Sequence, residues 1–148
     1  METGDEVKKR KKDGWIEVWT TFEALGISAE AVRSALNEHI AKLEQSKELF
    51  IFEKSESDVT KTQNPFPKLK HITEAYSQIV SLKMMVKNVY TLVTMVVLYG
   101  PSSVEIIEPV KMEIKIDELQ NIANALAGFM HRFASVGAGG IVISPKGK

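Results

Sequence analysis

The chain has 148 residues, 44% hydrophobic and 26% charged, enough to bury one full core without covalent staples. Its 19 basic and 19 acidic residues cancel, so no global field recruits nucleic acid or an anionic membrane. There is no cysteine, which excludes disulfides, thiolate nucleophiles and zinc–thiolate sites and fits a reducing, cytoplasmic setting.

Residues 1–13 are polar and lack the apolar core that a secretory signal requires. They read as a disordered tail carrying one basic run, Lys8, Lys9, Arg10, Lys11 and Lys12. That run is the candidate nucleic-acid contact. No aromatic residue interleaves it, so a solvated tail is the simpler reading. Order is expected from Trp15, where Ile16, Val18, Thr20, Phe22 and Ala24 alternate with Glu17, Trp19, Thr21 and Glu23. Period 2 of this kind marks a half-buried strand.

Ser28 is placed to cap a helix, with Glu30 in its first turn and Val32, Ala35, Leu36, His39, Ile40 and Leu43 as its apolar stripe. Residues 49–54 (LFIFEK) read as a second strand. Residues 60–70 contain Asn64-Pro65-Phe66-Pro67, which a central strand would not tolerate, and read as a loop. A third strand is expected over 72–86, with Tyr76, Val80, Leu82, Met84 and Val86 on one face.

Asn88 then caps a helix over 89–99 that stops at Gly100-Pro101, because glycine accepts a left-handed backbone and proline cannot continue the ladder. This apolar block is far shorter than the ~20 residues that span a bilayer. A fourth strand follows over 104–108. The alternation resumes at Val110, Met112, Ile114 and Ile116, which predicts either a continuation past a bend or a short edge strand. Asp117 is expected to cap a final helix with Leu119, Ile122, Ala123, Leu126, Phe129, Met130 and Phe133 on one face. Residues 137–148, opening with Gly-Ala-Gly-Gly, read as a flexible tail, which leaves 14–136 as a single domain.

The predicted order β-α-β-β-α-β plus a last helix resembles the ferredoxin-like two-layer α+β sandwich. GWIEVWTTFEALG, YGPSSVEIIEP and the final amphipathic helix resemble a group of small uncharacterised archaeal proteins. The second half also resembles the C-terminal extension of WYL-type transcription regulators. Several ferredoxin-like activities lack their residues here. There is no cysteine pair for a metallochaperone, and LGISAEAVR is not the anion loop of an acylphosphatase. ITEAYSQIVSLKM carries no basic–glycine–aromatic string for RNA recognition.

No catalytic, cofactor or metal residue stands out. His39 and His131 have no histidine or carboxylate three or four residues on that would make a metal pair, His71 follows a loop, and His39 reads as a packed core histidine. Trp15 and Trp19 share the strand face opposite Ile16, Val18 and Phe22. Two such rings on an open sheet face mark a contact surface. The alternative is that the final helix, expected at a sheet edge or on this face, or the C-terminal tail covers them as ordinary core. The expectation is therefore a non-catalytic binding or assembly module, a homo-oligomer joined through its sheet. A nucleic-acid factor and an unrecognised enzyme are the rivals.

Overall fold

The computed structural model describes residues 2–63, 68, 71 and 73–135. The elements in chain order are α1 (Glu2–Lys12), β1 (Ile16–Gly26), α2 (Ala29–Glu44), β2 (Leu49–Glu56) and β3 (Thr60–Gln63). They continue with β4 (Glu74–Val86), α3 (Val89–Tyr99), β5 (Ser103–Glu108) and α4 (Ile116–Ser135). The protein is thus mixed α+β, with one antiparallel sheet in the order β2-β4-β1-β5 and short β3 paired to β4 beyond β2. Among the described residues, no helix is long and apolar enough to cross a membrane.

The alternation in β1 decides the two faces of the sheet. Ile16, Val18 and Phe22 join Val80, Leu82, Met84 and Val86 of β4 in the core. Register pairs them directly: Ile16 with Val86, Val18 with Met84, Phe22 with Val80. α2 lays Leu36, Ile40 and Leu43 on this layer, and α3 adds Leu92 and Met95. Both helices begin as the sequence predicts. Ser28 Oγ accepts from the Ala31 amide at 3.1 Å, and Asn88 Oδ1 accepts from the Thr91 amide at 2.8 Å. α3 ends at Gly100, whose φ of 58° is the left-handed cap.

Four expectations are corrected. Residues 1–13 do not form a disordered tail, because Glu2–Lys12 is a helix. Glu6 and Arg10 pair one turn apart at 3.2 Å, and Lys9, Arg10, Lys11 and Lys12 of the basic run lie in the last turn, where cations complement the helix dipole. Gly14, with φ of 87°, ends it, and the Trp15 amide donates back to the Arg10 carbonyl at 2.9 Å. The predicted loop over 60–70 begins instead as β3, while Asn64-Pro65-Phe66-Pro67 lies outside the described residues.

The alternating stretch after Pro109 is not a strand. It pairs with no strand among the described residues, and Val110 is 99% exposed. Finally, α4 begins at Ile116 rather than behind Asp117, and it docks on α3 instead of on the sheet. The expected tail over 137–148 lies outside the described residues.

Candidate interaction surfaces

The sheet face away from α2 and α3 is polar and organised in cross-strand rows. Glu105, Trp19, Lys83 and Glu53 stand side by side on β5, β1, β4 and β2. The next row is Ser103, Thr21, Ser81 and Ser55, four hydroxyls. Together they line a depression of about 170 Å³. The sequence reading places Trp19 on this face, and the structure brings it into a connected network. Its indole N–H donates to Glu17 at 2.8 Å, and the Lys83 ammonium sits 4.3 Å from its ring centroid. Lys83 also pairs with Glu53 at 3.0 Å.

Glu17 is only 8% exposed, and a carboxylate that deep needs a charged partner. α1 supplies it. Lys11 Nζ lies 3.1 Å from Glu17 and 3.2 Å from Glu108, joining β1 to β5. These contacts, led by the hydrogen bond to Glu17, hold the Lys11 ammonium above its ordinary value of 10.5. Arg10 lies over the Trp15 ring at 4.4 Å and over Phe50 at 4.8 Å. α1 therefore covers this end of the open face, and Met85 beneath it is fully buried.

The candidate residues accordingly separate. Trp15 lies half-buried under Arg10, while Trp19 stays 36% exposed beyond the helix. Arg10 and Lys11 are spent in intramolecular contacts. Lys8, Lys9 and Lys12 stay exposed. His39 is the packed histidine expected: its ring meets Phe22 and Tyr99 edge to face. Among the described residues, no group of three or more His, Cys, Asp or Glu could hold a metal ion.

Many of the exposed apolar residues lie elsewhere. On the core side of the sheet, Val104 and Ile106 of β5 are exposed, since α3 does not extend over the edge strand. Beside them a groove of about 440 Å³ runs between α3 and the segment after Pro109, lined by Ile16, Leu92, Ile106 and Met112 among others. Met112 and Ile114 before the final helix and Ile116, Leu119, Leu126, Met130 and Phe133 on it are exposed apolar residues too. Of the stripe read from the sequence, only Ile122 is buried, on the side where α4 meets α3. Near it, Glu118 accepts from the Tyr90 amide at 3.3 Å. Periodicity marked that stripe correctly as apolar but could not say that most of it is uncovered.

No curated protein and no solved structure matches the chain. One family model does, over residues 17–146, from β1 through the last described helix. The likeness of the second half to WYL-type regulators gains no support from that match. On the extent of the matched segment, the chain belongs to the MJ0538 family.

Proposed function

We propose that this protein is a non-catalytic assembly module that self-associates through the apolar surface running from β5 along α4. The observation that carries the reading is the exposure of an apolar stripe on a 20-residue helix that, among the described residues, docks chiefly on α3. Exposed apolar area on that scale marks a contact site, and symmetric self-pairing is its commonest use. The Trp15/Trp19 face supports an oligomer seam less well, because Arg10 covers Trp15 and Glu17 and Lys83 hold Trp19.

The layout supports a ferredoxin-like reading of the core. With short β3 set aside, each helix between β1, β2, β4 and β5 connects parallel strands that are not neighbours, as in a split βαβ unit. We take the domain expected over 14–136, extended by the docked α1, as one folded unit, and a cytoplasmic setting from the cysteine-free sequence. A nucleic-acid role has less support, since two of the five cations in the basic run are already engaged. Sedimentation of the full chain across a range of concentrations tests the reading. A rising mean mass is expected, and a monomer at every concentration would overturn it.

A further inference from the structure

We infer that the partner on α4 is a second copy of α4 lying antiparallel, in one register set by residue size; this inference rests on the self-association reading above. Beside an exposed Ala127, α4 carries one exposed apolar stripe of Ile116, Leu119, Ala123, Leu126, Met130 and Phe133. Their separations run 3, 4, 3, 4, 3, the spacing of a coiled-coil seam. α3 occupies the adjacent side of the helix, through Ile122. Among the described residues, the seam itself is left open.

Laid antiparallel about a two-fold axis, the six positions match completely. Ile116 faces Phe133 of the second copy, Leu119 faces Met130, and Ala123 faces Leu126, each pairing occurring twice. Small against large at the centre lets the helices close without a void. A parallel pair would instead set Ala123 against Ala123, leaving a central layer underpacked.

Charge selects the same direction. Asp117 and Glu118 lie in the first turn of α4 and Arg132 in the last. Antiparallel packing sets the acidic end of one helix beside the basic end of the other and opposes the two dipoles. Parallel packing sets like beside like. The seam is about 27 Å long at 1.5 Å per residue. One helix face of that length lies at the low end of interface sizes, so the dimer should dissociate on dilution.

The native chain has no cysteine, so introduced thiols report pairing without background. Leu119→Cys and Met130→Cys proteins, each checked for native circular dichroism, are oxidised separately and as an equimolar mixture, and the products weighed by mass spectrometry. The antiparallel register predicts the mixed disulfide in at least tenfold excess over either homodimer. It also predicts little crosslinking of either variant alone, because identical positions then lie about 16 Å apart along the axis. Efficient homodimer crosslinking of Leu119→Cys would show parallel pairing and overturn the register while leaving self-association intact. Absence of any crosslink from a chain that still sediments as a dimer would move the seam off α4. A monomeric native chain would overturn the self-association reading itself.

Discussion

His39 Nε2 lies 2.7 Å from the carbonyl oxygen of Tyr99, linking the middle of α2 to the last residue of α3. A carbonyl only accepts, so Nε2 carries the proton and donates. Tyr99 contributes one of the carbonyls that a helix end leaves without an intrahelical partner. The histidine supplies that partner while its ring packs between Phe22 and Tyr99. His39→Ala should therefore cost about 2 kcal/mol, combining a lost hydrogen bond with lost packing. His39→Phe keeps a ring but no donor and should recover only part of this. Equal stability of all three proteins in urea would remove the bond from the account.

Thr20 makes the opposite case. It faces the core beside Leu82 and Val104, 2% exposed, and its hydroxyl has no partner among the described residues. Thr20→Val removes a buried, unpaired polar group at nearly constant volume. Stability should rise by about 1 kcal/mol. A loss would mean that the hydroxyl is bonded in solution.

Docking of α1 predicts that residues 1–13 are needed for full stability. Deleting them uncovers Met85, Phe50 and Trp15 and strips Glu17 of its cation. The thermal midpoint should fall by several degrees, and tryptophan emission should shift to the red. Arg10→Ala alone should cost about 1 kcal/mol through its two ring contacts. An unchanged midpoint after deletion would contradict the docked helix.

The Lys11 pair gives a pH dependence of known sign. Its folded-state value lies above the ordinary 10.5, chiefly through the hydrogen bond to Glu17. Its stabilising contribution is therefore fully present below that ordinary value and disappears as pH rises through the raised one. Lys11 is partly exposed, so the contribution is small. The stability difference between the native chain and Lys11→Met should be constant from about pH 6 to 9 and shrink only in strong alkali. A difference that vanishes near neutrality would assign the effect to another group.

Much of this architecture is legible in the residues themselves. Period-2 alternation marks β1 and the second half of β4, and Ser28, Asn88 and Gly100 mark the ends of their helices. α1 is harder to see because its composition resembles a solvated tail. Its signal is local: a basic last turn followed by Asp13-Gly14, the glycine being the stop. β3 is hidden by the prolines just after it. The open seam of α4 is unreadable for a deeper reason. A hydrophobic period tells which face is apolar, whereas what covers that face depends on tertiary packing. The same limit applies to Trp19, whose strand face was visible but whose partners Glu17, Lys83 and Glu53 come from register.

The central claim is most directly tested by the sedimentation equilibrium mass of the native chain beside that of Leu126→Asp. Leu126 is 40% exposed, so the substitution should leave the monomer folded while placing a charge at the centre of the seam. The account predicts a concentration-dependent dimer for the native chain and a folded monomer for the variant. A variant that dimerises as well as the native chain would contradict it.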